Sequence, residues 1–569
     1  MDQKRSIKRV YQHHHPQLNA IDGTCVTSYL VQFRNIPYAK TPRRFARSTI
    51  LHQLPTCIGG QSTSFDAMDY GPCSVQPRDS IETDVHWNQL PDRPNREQDQ
   101  AEDCLRLTVT CPIHTLNHAS GKIPVIAFLH GGALMIGSGD RQYYDPIKLC
   151  TDALEKSKPV IFVSINYRLG AFGFLHCPEA SDYLPPNNGL YDQILAFEWL
   201  QAYIAGFGGD PSNMTAIGQS AGAASLSLHS ARLRSRALYQ KAIVLSGSTT
   251  VLVTMTPEQH RQEFLYQAER LGIRVQGRSM EDIALEVIDA PVDAIRSLEY
   301  CGAPCSPSEL IADPDWATMR HAQHTTPNAW LESQVICSST YDGSISHLVA
   351  MGQERNQLAK VFVAICRARL KDPHQLLNIY HISQDDSDDV ALRKICQVVT
   401  DLGFYGAAVS SLRGSATSLH TKSYHVLFDI GNPFTRLLEK CRFATHTWDI
   451  VSLLGAFDNM LPMDCQNGIQ LWREAVLAYC YSGNLPGDTW RPDSQSLLVF
   501  RNDGVESLHH EQLTQSRQER LLRFAEQEGS ESGYDLLWED VLRFFLKTGN
   551  PRYSHEALEL LQEHHQAEA

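Results

Sequence analysis

The chain has 569 residues, 42% of them hydrophobic and 20% charged, and carries a formal net charge of −14. That balance fits an ordinary soluble globular protein, and the acidic excess argues against a nucleic-acid binder, which would show a basic patch. Fifteen cysteines at irregular spacing include no C-x-x-C pair, so a structural zinc site is not expected and most thiols read as small buried hydrophobes.

The first ten residues are basic, and the stretch Tyr11-Gln12-His13-His14-His15-Pro16 is polar. No apolar core of a secretory signal follows and no apolar run is long enough to span a bilayer, which leads to the expectation of a cytoplasmic protein with no membrane span. Residues 1–19 read as a flexible tail, with the three histidines solvated rather than holding a metal. Residues 20–569 read as one α/β domain. Residues 83–101, polar and rich in Pro and Asn, read as a surface loop. Continuous apolar runs at 124–129, 159–165 and 242–245 suit strands buried between helices in a mostly parallel sheet. Residues 189–204 carry helical periodicity. The stretch 257–328 is helical and irregular, further strands are expected near 334–338, 424–428 and 497–500, and the tail from 511 carries apolar helical stripes.

The segment Ile217-Gly218-Gln219-Ser220-Ala221-Gly222 fits G-x-S-x-G, and no other serine does. It follows a strand pattern and opens a helix pattern. That is the setting of a nucleophile elbow, in which a sharp strand-to-helix turn exposes the serine hydroxyl and the helix N-terminus points N–H groups at developing negative charge. The run 124–129 ends in His130-Gly131-Gly132-Ala133, a glycine-rich turn placed where such folds form the rest of an oxyanion hole. The backbone N–H groups of Gly132, Ala133 and Ala221 are the expected donors.

A serine nucleophile needs a base, and the base an acid, in the chain order Ser, Asp/Glu, His. Asp342 lies where the strand near 334–338 exits beside Gly343, although on spacing alone it reads as an Asp-Gly turn. His446 lies between a loop and an apolar helical run. Its rival His425 falls in mid-strand, and on position alone His446 also suits a capping or buried histidine.

The chain resembles the type-B carboxylesterase family, which includes cholinesterases and fungal lipases. The resemblance rests on Phe33-Arg34-Asn35-Ile36-Pro37-Tyr38-Ala39, Glu102-Asp103-Cys104-Leu105-Arg106-Leu107, the His130 turn, Asn166-Tyr167-Arg168-Leu169-Gly170, Asn188-Gly189-Leu190-Tyr191-Asp192-Gln193, the Ser220 elbow and Ser246-Gly247-Ser248. It implies an α/β-hydrolase fold, with a large mostly parallel sheet and helical excursions around a gorge. It makes Ser220 the nucleophile, Asp342 the acid and His446 the base. It pairs Arg168 with Asp192, puts Ser246 behind the acid, and allows Cys73 and Cys104 to close a loop as a disulfide, two free thiols being the alternative. Gln219 stands where the family usually has Glu, which removes a negative charge and makes choline esters poor candidates. The implied function is hydrolysis of a small-molecule carboxylic ester through an acyl-enzyme, with no metal or organic cofactor. Two alternatives remain open: an acyl-transferring or lactone-forming enzyme, and a non-catalytic binding protein on the same scaffold.

Overall fold

In the computed structural model, residues 9–55, 64–91, 98–116, 122–231, 237–299, 301–346, 357–435 and 438–547 are described. The apolar runs form the middle of one sheet, because strands covered by helices on both faces have no polar side to present. Parallel strands follow in the spatial order Ile161–Ile165, Ile123–Leu129, Gly209–Gln219, Lys241–Leu245, Ser333–Ser339, Lys422–Asp429 and Leu497–Arg501. Antiparallel strands extend one edge through Arg106–Pro112, Leu30–Pro37, Asn19–Cys25 and Val10–His15, and Gly504–Leu508 closes the other. With Ser64–Asp66 beside Asn19–Cys25 the sheet has 13 strands.

Alternation along the strands separates two cores. Val125, Ala127 and Leu129 pack with Phe197, Trp199 and Leu200 on one face, whereas Ile126 and Phe128 pack with Ile217, Trp448 and Trp472 on the other. The expected helix at 189–204 is the helix Asn188–Tyr203. A third core is helical, and it buries the tail's stripe of Leu521, Leu522, Phe524, Leu537, Val541 and Phe545 against Leu392, Ile395 and Val399. One helical run in that core, Asp388–Ser415, is long and apolar enough to cross a bilayer, but 89% of its most apolar window is buried inside the protein.

Two expectations are corrected. Residues 10–15 are not a tail but a strand paired with Asn19–Cys25. His13 and His15 point inward against Phe33 and Phe207 and bond the carbonyls of Gly206 and Tyr203, each at 2.9 Å. Burial lowers both pKa values, that of His15 to about 4, so these are neutral packed rings rather than solvated ones. Within 83–101, the first residues belong to the helix Ser80–Trp87, whose polar letters hide a buried Asp84 that accepts from Tyr143 Oη and from Arg141 Nε at 3.4 Å.

Parallel pairing puts the carboxyl ends of Ile123–Leu129, Gly209–Gln219, Lys241–Leu245 and Ser333–Ser339 on one edge, with Gly218 beside Leu129, Gln219 beside Leu245, and Leu245 beside Cys337. Ligands of open α/β sheets bind outside that edge.

Candidate active site

Ser220 sits between the strand Gly209–Gln219 and the helix Ala221–Ala231 with φ of +53°. A non-glycine residue in the left-handed region costs about 1–2 kcal/mol, so neighbours must hold it there. They do: Ser220 N–H donates to Leu245 O and Ala224 N–H to Ser220 O, both at 2.9 Å. Glycine is required on either side, since a Cβ on Gly222 would collide with Leu129 O and one on Gly218 would come within 2.5 Å of Gly222 O. Ser220 itself stays partly exposed among buried neighbours.

The turn after Leu129 lies against this elbow, with Gly131 close to Gln219 and to Ser220 Cβ. Gly132, Ala133 and Leu134 have φ of +104°, +55° and +60°, and the N–H groups of Met135 and Ile136 both bond Gly132 O. Gln76 clamps the far end, accepting from Gly137 N–H at 2.7 Å and donating to Gly137 O at 2.9 Å. Among the described residues no hydrogen bond uses the N–H of Gly132, Ala133 or Ala221. Three unpaired donors beside a serine hydroxyl can receive an oxyanion.

Asp342 and His446 are brought together by a parallel bridge between Tyr341 and Thr445 and by the bond from Tyr341 N–H to Ala444 O. His446 Nδ1 donates to Asp342 Oδ1 at 2.9 Å, Ser339 N–H donates to Asp342 Oδ2 at 2.7 Å, and His446 N–H donates to Ser344 Oγ at 2.9 Å. With Nδ1 carrying the proton, Nε2 has the lone pair. The Gln219 amide Nε2 lies 3.2 Å from it, and no hydrogen bond joins His446 to Ser220 Oγ among the described residues. The Phe404 ring lies beside the imidazole, the two centroids 5.3 Å apart and the rings inclined by 59°. The rival His425 is fixed inside the sheet against Tyr405, 5.0 Å away, and burial lowers its pKa to about 3, so it has no access to a substrate.

Sequence reasoning missed Asp449. Fully buried, it accepts from Ser246 Oγ at 2.8 Å and from Ile450 N–H at 2.7 Å. Burial, and then the charge of Asp342, raises its pKa to about 7. The available signal was an acid three residues after the candidate base. Ser246 therefore serves Asp449 directly and reaches Asp342 only through Ser339, whose Oγ lies 3.3 Å away. The Arg168–Asp192 pair is formed, with Nε and Nη2 donating at 2.7 and 2.8 Å to the two carboxylate oxygens. Cys73 and Cys104 are buried free thiols rather than a disulfide, and burial pushes them up to about 11 and about 12.

The carboxylesterase family model matches residues 19–299. Para-nitrobenzyl esterase of Bacillus subtilis is 36% identical over 242 residues, covering 42% of this chain and 44% of that protein. Lipase 3 of Yarrowia lipolytica is 28% identical over 362 residues, covering 61% and 66%. Acetylcholinesterase of Bungarus fasciatus is 32% identical over 307 residues, covering 53% and 43%. The matches thus span between 43 and 66% of those relatives' lengths. A solved PNB esterase superposes with a TM-score of 0.65 at 22% identity over 89% of this chain and 99% of that one, and a thermophilic PNB esterase with 0.62. Over residues 19–299 this chain is similar to the carboxylesterase family, and the fold it shares with the PNB esterases is the α/β-hydrolase fold.

Proposed function

We propose that the protein is a serine hydrolase of small-molecule carboxylic esters. The observation that carries this reading is the Asp342–His446 hydrogen bond of 2.9 Å at the sheet edge where Ser220 is held in left-handed backbone. Ser220 Oγ attacks the ester carbonyl while His446 Nε2 takes its proton. The oxyanion is received by the N–H groups of Gly132, Ala133 and Ala221. His446 then protonates the leaving alcohol, and a water activated by the same nitrogen resolves the acyl-enzyme. Asp342 holds the tautomer and stabilises the imidazolium. Gln219 carries no charge, so the site offers a neutral floor to a neutral ester.

The test is covalent labelling with a fluorophosphonate, located by peptide mass, together with hydrolysis of para-nitrophenyl acetate. Labelling at Ser220 and turnover that both vanish in Ser220→Ala support the reading. Absence of labelling at Ser220 overturns it.

A further inference from the structure

The turn that carries Gly132 and the loop that carries His446 follow strands on opposite sides of the Ser220 strand, yet one chain of hydrogen bonds joins them. It starts at Gly137, the end of the turn, whose N–H donates to Gln76 Oε1 at 2.7 Å. Arg141 Nη2 donates to the same oxygen at 3.1 Å, and Arg141 Nε donates to Asp84 Oδ2 at 3.4 Å. Tyr143 Oη donates to Oδ2 as well. On the other side Asn88 Nδ2 donates to Asp84 Oδ1 at 3.0 Å, and Thr447 Oγ1 donates to Asn88 Oδ1 at 2.8 Å. Thr447 directly follows His446. Gln76, Asp84, Asn88, Arg141 and Thr447 are all buried, so bulk solvent does not replace a lost partner.

Asp84 is where the two arms meet, and its chemistry orders both. A carboxylate only accepts, so Asn88 must turn its Nδ2 toward Asp84 and leave Oδ1 for the Thr447 hydroxyl. The helix Ser80–Trp87 puts Asp84 and Asn88 four residues apart, hence on one face, while Arg141 spans from Asp84 back to Gln76. The far end of the chain needs holding. Thr447 has φ of +73°, a conformation that a β-branched residue adopts only when its surroundings impose it. A second tie runs to the other neighbour of His446: Asn432 Nδ2 donates to Thr445 Oγ1 at 2.8 Å and to Gln89 O at 3.4 Å. Both residues flanking the base are thus referred to the segment Asn88–Gln89, and that segment to the oxyanion turn through Asp84.

We propose that Asp84 is a positioning residue of the esterase: joined to Gly137 through Arg141 and Gln76, and to Thr447 through Asn88, it fixes where the oxyanion turn stands relative to His446. The proposal rests on the esterase reading of Ser220 and His446. Attack requires the carbonyl oxygen to reach the turn while Ser220 Oγ reaches the base, so an error in the spacing of turn and base is an error in the transition state and not in ground-state binding. Asp84→Asn breaks the order of the chain. The new amide either sets a donor against the Asn88 donor or turns Asn88 over, so that the Thr447 hydroxyl loses its acceptor, and Arg141 loses its counter-charge in both cases.

The experiment measures kcat and KM for para-nitrophenyl acetate, per active site titrated with a fluorophosphonate and well below each variant's melting temperature, so that loss of folded protein does not count. Asp84→Asn is expected to lower kcat about 10- to 100-fold with KM within about threefold of wild type. A lowered melting temperature with kcat per titrated site unchanged would make Asp84 a support of the fold alone and overturn the proposal, and so would a rise in KM with kcat intact. A second measurement leaves Asp84 in place and holds even if Asp84→Asn does not fold: the cycle of Gln76→Met, Thr447→Val and the double variant. These two side chains share no partner, so independent effects on kcat would multiply. Through Asp84 they act as one unit, and the double variant is expected to lose at least about threefold less than the product. Losses that multiply overturn the proposal. Failure of the esterase reading looks different: wild type then shows no labelling at Ser220 and no turnover to compare.

Discussion

Gln219 donates an amide N–H to Nε2 of His446 across 3.2 Å, the nitrogen to which the proposed mechanism gives the proton of Ser220. The opposite nitrogen is committed to Asp342, so the imidazole is held at both ends. A carboxylate at position 219 would accept where the amide donates. It would favour the doubly protonated ring, because an opposite charge within hydrogen-bond reach stabilises the charged form. In Gln219→Glu the base therefore loses its proton at higher pH, and the acid limb of kcat/KM for a neutral ester moves up by about one pH unit or more. Gln219→Met, which offers neither donor nor charge, keeps the wild-type limb. A pH profile from 4.5 to 9 reads both, and an unmoved limb in Gln219→Glu would show that the amide does not face the working base.

The two candidate histidines separate on burial. His425→Phe replaces a ring packed on Tyr405 inside the sheet, so kcat should stay within a few-fold of wild type provided the protein folds, as judged by its circular dichroism. His446→Ala should lower kcat by about 10⁴-fold or more, and Asp342→Asn by about 10⁴-fold because the tautomer is then wrong. A variant of His446 that kept near wild-type turnover would remove it as the base.

How much of this was legible in the sequence follows the distance between the residues concerned. The Ser220 elbow and the turn at Gly132 are local, so glycine spacing and strand context locate them within ten residues. The contact between Asp342 and His446 joins positions 104 apart, and no periodicity encodes that; it was reached only through resemblance to a family. The inward-facing His13 and His15 were misjudged because polar letters say nothing of the carbonyls of Tyr203 and Gly206 that wait across the fold. Asp449 escaped notice for a related reason. A buried acid differs from an exposed one only by what surrounds it.

Gly132 holds its φ of +104° beside Ile136 O, where a methyl group would collide. Gly132→Ala must therefore move the turn and carry its N–H, and that of Ala133, off the oxyanion position. Losing one such donor lowers kcat by about 10²- to 10³-fold. KM should change far less, since the oxyanion exists only after attack, and steady-state kinetics on one small ester separates the two. A rise in KM with kcat intact would place the turn in substrate binding instead.

Asp449 carries the pH dependence that the fold itself should show. Burial and the charge of Asp342 hold its pKa near 7, against an ordinary carboxyl value near 4 in the unfolded chain. Between those two values the folded protein keeps a proton that the unfolded chain releases, so this group's contribution falls as pH rises from about 4 to about 7 and is fully unfavourable above that. At 1.36 kcal/mol per pH unit the whole effect is about 4 kcal/mol. Asp449→Asn keeps an acceptor for Ser246 and cannot ionise. Its melting temperature should therefore sit close to wild type at pH 5 and gain on wild type by several degrees at pH 8. Other groups titrate over the same range, among them His130 and His260, whose pKa values burial lowers to about 4, but they act on both proteins alike and cancel in the difference. Equal gaps at pH 5 and pH 8 would mean that Asp449 is ionised in the folded protein throughout.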